Sequence, residues 1–123
     1  MQRDIASLLD ILVAARLARE FVSGFSFEQF AEDIKTQDAV IRRIEIIGEA
    51  TRRISPQFKA KHPTIPWSQM QGMRNALIHE YDEVVIETVW EVVTSDLIEL
   101  IAQLEPLVPP PDDGDDATGG PSV

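Results

Sequence analysis

Residues 84–107, VVIETVWEVVTSDLIELIAQLEPL, decide the fold. The first half, VVIETVWEVVT, is rich in β-branched residues and taken alone reads as a strand. The apolar positions settle the choice. Ile86, Val89, Trp90, Val93, Leu97, Leu100, Ile101 and Leu104 keep helical spacing along nearly the whole stretch, and a strand rarely exceeds ~10 residues. The stretch therefore reads as one helix from about Val84 to Leu107.

The rest of the chain agrees with a helical reading. Ile5, Leu8, Leu9, Leu12 and Ala15 recur at helical spacing until Ser23-Gly24 closes the run. Phe25, Phe27 and Phe30 predict a turn and a single helical turn over the core. Val40, Ile44, Ile47, Thr51 and Ile54 form the stripe of a second long helix, flanked by Ile41 and Gly48. A glycine inside a helix costs about 1 kcal/mol relative to alanine, so Gly48 implies that another backbone approaches closely there. Ser55-Pro56 ends this helix and starts a short one, with serine as cap and proline at the first position. Pro66-Trp67 opens a third long helix, expected to run through His79. The expectation is an all-α, antiparallel four-helix bundle with short extra helices over residues 1–108. Residues 109–123 begin with three prolines and hold Asp112, Asp113, Asp115 and Asp116 among Gly, Thr and Ser. They predict a disordered acidic tail.

Composition bounds the function. The chain has 123 residues and no cysteine, which excludes disulfides, thiolate metal sites and cysteine nucleophiles. No apolar run reaches the ~20 residues of a membrane span, and Met1-Gln2-Arg3-Asp4 lacks a signal peptide's apolar segment. The expectation is a cytoplasmic protein with no membrane partner. The net charge of −10 argues against a polyphosphate ligand, but the average hides a gradient. Residues 42–74 carry seven Lys or Arg and only two acids, whereas residues 75–123 carry twelve acids and no Lys or Arg.

That basic third ends at Arg74, within Arg74-Asn75-Ala76-Leu77-Ile78-His79-Glu80-Tyr81. No Gly-rich phosphate loop, HExxH or GxSxG motif is present. With only His62 and His79, no multi-histidine metal site is expected. The eight-residue segment instead gathers a permanent cation, an amide, an imidazole and a phenol. On a continuous helix Asn75 and His79 share a face, and Arg74 sits about 140° from His79. This set suits metal-independent RNA cleavage. That reaction needs a base for the 2′-hydroxyl, an acid for the leaving 5′-oxygen and a cation for the phosphorane. One copy holds one such histidine, so a symmetric dimer supplies both. A structural reading of the same residues also stands: His79 as a helix-dipole partner, Arg74 paired with Glu45 or Glu49, and Tyr81 capping the core. Arg42, Arg43, Arg52 and Arg53 form two pairs ~15 Å apart along one helix, either a solvated face or a track for RNA phosphates. His62 is expected in a solvated loop, and Trp67 and Trp90 in the core.

Arg74, four residues, His79, one residue and Tyr81 match the RX4HXY form of the HEPN motif. Around it, AVIRRIEIIGEATRRI (39–54), IPWSQMQGMRNALIHEY (65–81) and VWEVVTSDLIELI (89–101) resemble the HepT-like toxins of that superfamily. The resemblance covers about residues 3–107. It implies a type VII HEPN/MNT toxin–antitoxin system in which the helical bundle forms a homodimer, or a higher even oligomer, with both motifs facing one cleft. By the same resemblance Arg74 and His79 are catalytic in an endoribonuclease and Asn75 shapes the site. Tyr81 is the residue an MNT-type nucleotidyltransferase antitoxin modifies by AMP transfer. ATP and Mg²⁺ then belong to that partner, and this chain needs no cofactor. The alternative is a non-catalytic binding subunit of a nucleotidyltransferase. Where relatives often have a small residue between His and Tyr, this chain has Glu80.

Overall fold

The computed structural model describes residues 2–79 and 83–109. Apart from Pro109, the acidic tail lies outside the described residues. Helix α1 (Gln2–Phe21) is followed by α2 (Phe27–Glu32), α3 (Ile34–Arg52), α4 (Pro56–Lys61), α5 (Trp67–Gln71) and α6 (Met73–Ala76). Strands β1 (Ile78–His79) and β2 (Glu83–Val84) pair antiparallel, Ile78 opposite Val84 and His79 opposite Glu83. Then α7 (Ile86–Glu91), a π-helical turn (Val92–Asp96), α8 (Leu97–Leu104) and a 3₁₀ turn (Glu105–Leu107) follow one another directly. The all-α reading holds: among the described residues, the only strands are this pair of two-residue segments. No helix among them is long and apolar enough to cross a membrane.

Local chemistry sets four of these ends. Gly24 adopts φ +80°, the left-handed conformation that turns the chain after α1. Ser26 begins α2 with a capping box: its hydroxyl accepts from Gln29 N (3.1 Å) and its own N–H donates to Gln29 Oε1 (2.8 Å). Asp33 caps α3 by accepting from Thr36 N at 3.0 Å. Ser55 caps α4 by accepting from Phe58 N at 3.1 Å, with Pro56 at the first helical position, as its sequence implied.

Helices α1 and α3 form the main seam and run antiparallel, so Asp4 near the start of α1 meets Ser55 just beyond α3. Leu8, Ile11, Leu12 and Ala15 of α1 interlock with Val40, Ile44 and Ile47 of α3. Leu9, expected on this face, is instead 44% exposed, because Ile11 fills the inward position. Val89, Val93, Leu97 and Leu104 close the core from the C-terminal segment, and Phe30 packs on Trp90 with ring centroids 5.2 Å apart. Trp67 is buried as expected, its Nε1 donating to the His62 carbonyl at 2.9 Å. His62 itself is half-buried with its ring 4.7 Å from that of Phe58, so the solvated-loop expectation is corrected.

Two helix lengths differ from expectation. The last helix starts at Ile86, because Val84 belongs to β2, and it widens into a π turn at Val92–Asp96. There the Thr94 hydroxyl donates to the Trp90 carbonyl (2.6 Å) and Arg19 Nη1 donates to the Val93 carbonyl (3.2 Å). Side chains bonded into the backbone ladder are a recognised cause of such irregularities. The third helix breaks at Gly72 and ends at Ala76 rather than running through His79.

Asp4 is buried, and its carboxylate accepts from both Ser55 N (2.7 Å) and Ser55 Oγ (2.8 Å). The Ser55 N–H is the main reason its pKa lies below the usual carboxylate value, with the hydroxyl adding to it. A depressed folded-state pKa stabilises the fold above the unfolded value of about 3.9 and loses that contribution as pH falls through the folded value. Asp4→Ala is thus expected to lower stability by about 1.5–3 kcal/mol at pH 7, the range for lost hydrogen bonds to a charged group. Urea unfolding at pH 7 and pH 3 checks this: the gap between wild type and variant should narrow at the lower pH.

Candidate active site

The site begins with Gly48. A Cβ at this position would stand 3.1 Å from the Gln71 carbonyl oxygen and 3.5 Å from that of Met70. The bare backbone of α3 therefore lets the end of α5 pack against it, as the glycine within a helical stripe implied. Gly72 then breaks the chain between α5 and α6, and the short α6 carries Arg74 and Asn75 outward beside α3. Met70 and Leu77, on either side, are buried and anchor the segment.

Arg74 meets Glu45, one turn before Gly48 on α3 (Arg74 Nε to Glu45 Oε2, 2.8 Å). Glu45 is the better buried partner, its side chain 28% exposed against 50% for Arg74. Its other oxygen lies 3.4 Å from Arg42 Nη1, and Arg42 Nη1 also lies 3.7 Å from Glu49. The bond to Nε uses one edge of the guanidinium. The Nη1/Nη2 fork on the other edge can pair bidentately with a phosphate. A cleft of about 210 Å³ is lined by Glu45, Glu49, Arg52, Gln71, Arg74 and Asn75. Arg74 and Asn75 thus share one cleft.

Arg42, Arg43 and Arg52 of α3 and its cap Arg53 do not line a single cavity. At 100° per residue, neighbours in a helix point apart. Arg52 lines the Arg74 cleft, and Arg42 sits at its edge through Glu45. Arg53 is held by Asp10 at 3.3 Å and lines a different cavity. Arg43 lies two residues, about 200°, from Glu45, away from this cleft, with a buried Nε that has no hydrogen-bond partner.

The helical relation expected between Asn75 and His79 is not observed. Leu77 N bonds back to the Arg74 carbonyl at 3.1 Å, closing the last turn of α6. Ile78 and His79 then run extended as β1, and Val85 N donates to the Leu77 carbonyl at 2.8 Å. His79 therefore belongs to β1, paired with β2, and not to a helix that also holds Asn75. Its cause was visible in part: Ile78 and the Val84-Val85-Ile86 run are β-branched and pair readily in extended form. Tyr81 and Glu80 lie outside the described residues. Among the described residues, no group of three His, Asp or Glu is placed to hold a metal.

Comparison with known proteins adds to this geometry. The model of the family "Ribonuclease HepT-like" matches residues 11–107. A Thermococcus cleftensis protein named "probable ribonuclease HepT" is 46% identical over 100 residues, covering 81% of this chain and 91% of that one. A Methanocaldococcus jannaschii protein named as a candidate RNase is 38% identical over 105 residues, covering 85% of this chain and 96% of the relative. Another so named, from Caldanaerobacter subterraneus, is 38% identical over 98 residues, covering 80% and 88%. No solved structure matches the chain.

Proposed function

The chain belongs to the HepT-like ribonuclease family, and from that premise we propose that it is the endoribonuclease toxin of a type VII HEPN/MNT toxin–antitoxin pair, working in the cytoplasm without a metal ion. The observation that carries this reading is the Arg74 guanidinium, held by Glu45 in a cleft shared with Asn75 and placed five residues before His79. In the proposed reaction a base takes the proton of a ribose 2′-hydroxyl and the 2′-oxygen attacks phosphorus. The bond from phosphorus to the 5′-oxygen breaks, and an acid returns a proton to that oxygen. The products are a 2′,3′-cyclic phosphate and a 5′-hydroxyl. His79 serves as base or acid because imidazole titrates near neutrality. Arg74 stabilises the phosphorane charge.

One chain carries one such histidine, so the reading places two chains around one cleft, as a homodimer or a higher even oligomer. Tyr81, two residues beyond His79, is the proposed acceptor of AMP from an MNT-type nucleotidyltransferase, which brings the ATP and Mg²⁺. AMP there adds bulk and negative charge beside the site and repels RNA. The charge balance of the single-chain cleft, Arg52 and Arg74 against Glu45 and Glu49, favours a second reading. In it the chain is a non-catalytic subunit that binds the transferase.

Expression with and without an MNT-type nucleotidyltransferase separates the two. The toxin reading expects growth arrest by the chain alone, RNA cleavage in excess chelator, and relief on co-expression. The intact mass should then rise by one or more AMP, with no rise in Tyr81→Phe. A tight complex, no cleavage and no arrest would install the second reading.

A further inference from the structure

Arg3 is far in sequence from Arg53 and Lys61, yet all three line one cavity of about 520 Å³, together with Asp4 and Ser55. The fold gathers them through the bonds already described. Asp4 ties the first turn of α1 to Ser55, which brings the adjacent Arg3 to the joint between α3 and α4. Arg53 is the C-terminal cap of α3, and Lys61 is the last residue of α4. The one acid in the lining, Asp4, spends both carboxylate oxygens on Ser55. Three cations therefore face one committed carboxylate, on a chain whose net charge is −10. Asp10 reaches Arg53 from outside the lining at 3.3 Å, with both side chains more than half exposed, and such an exposed pair yields readily to a better anion.

The position matters as much as the charge. Arg52, the immediate neighbour of Arg53, lines the cleft that holds Arg74. Because Arg52 and Arg53 are consecutive, the two cavities lie at the same end of α3. We propose that the Arg3–Arg53–Lys61 cavity is a phosphodiester subsite that holds the backbone of single-stranded RNA while another linkage of the same strand lies at Arg74. This rests on the ribonuclease reading above. It replaces a continuous arginine track along α3 with two separate anchoring points, and it brings in Arg3 and Lys61. A free nucleotide offers the same phosphate chemistry, so the test includes one.

The experiment is fluorescence anisotropy of a labelled 12-nucleotide single-stranded RNA with the full chain across a range of salt. Arg3→Gln/Arg53→Gln/Lys61→Gln is expected to raise the Kd at least tenfold at low salt. It should also flatten the slope of log Kd against log salt by about 0.7, the contribution of one phosphate contact on a single strand. Lys61→Gln alone keeps the test alive if the triple variant misfolds, with an expected severalfold rise in Kd. Lys35→Gln, at the start of α3, serves as the unaffected control. A triple variant with the wild-type Kd and slope overturns the proposal, as does a wild-type chain that binds no RNA. AMP binding that depends on the three cations while RNA binding does not also overturns it, by making the cavity a mononucleotide site. The ribonuclease reading fails on a different readout: a chain that binds RNA through these residues yet leaves it uncut keeps the subsite and loses the nuclease.

Discussion

Arg74→Ala is expected to lower RNA cleavage by about 10²–10³-fold, the usual loss when a preorganised donor to a developing oxyanion is removed, with the helical circular dichroism unchanged. The fold should survive because Arg74 is half exposed and makes an ion pair rather than a core contact. Its partner Glu45 keeps some solvent access and Arg42 nearby, so it is not left as an uncompensated buried charge. Arg74→Lys should recover little. A lysine is a point charge on a flexible stem and cannot bond Glu45 through one edge while presenting a planar fork to phosphate through another. Glu45→Ala should act in the same direction but less, about tenfold on kcat, by freeing Arg74 to move. His79→Ala should lose 10²–10⁴-fold, the range for a general acid or base. The two single variants together test whether the site is composite. If one cleft needs His79 of both chains, mixing Arg74→Ala with His79→Ala chains gives mixed clefts with a single His79 and little activity, whereas marked recovery would mean that each cleft pairs Arg74 of one chain with His79 of the other. Full cleavage by a clean Arg74→Ala/His79→Ala preparation would remove this site from the reaction.

Local chemistry made much of this architecture legible from the residues alone. Ser55-Pro56 declares a helix start through a cap and a fixed φ, and α4 begins there. Gly48 interrupts an apolar stripe at a cost that only a close backbone contact explains, and the Gln71 carbonyl is that contact. The pairing of Arg74 with Glu45 or Glu49 was open from charge, and the fold selects Glu45. What stayed hidden depends on competition between segments. The span from Arg74 to His79 includes helix-favouring residues, but Ile78 finds a β-branched partner in Val84, and that pairing wins over one more helical turn. The arginine pairs of α3 look alike along the chain, yet the helical phase sends Arg52 and Arg53 to different cavities. Arg3 sits in an acidic third of the sequence and joins a basic cavity only through the bonds of its neighbour Asp4.

Gly48→Val tests whether the seat of α5 on α3 is what places Arg74. The first added carbon already stands 3.1 Å from the Gln71 carbonyl oxygen, tighter than ordinary van der Waals contact, and 3.5 Å from that of Met70. Alanine meets two opposing effects: about 1 kcal/mol gained in helix propensity, and a backbone carbonyl that must shift by a few tenths of an ångström. Its stability should therefore stay near that of wild type. Valine gains less in propensity and adds two methyl groups to a carbon that already crowds the Gln71 carbonyl, so overpacking of about 1–3 kcal/mol is expected. For a body of this size that is a fall in Tm of roughly 4–8 °C per kcal/mol. Relief of the clash requires α5 to move off α3, and α6 moves with it because only Gly72 separates them. Arg74 then loses its 2.8 Å bond to Glu45. Cleavage by Gly48→Val, measured well below its Tm where the chain is fully folded, should therefore fall by at least tenfold, more than any unfolded fraction explains. Full activity at that temperature, with or without a lowered Tm, would mean that the contact supports the fold alone and that Arg74 is positioned by something other than α3.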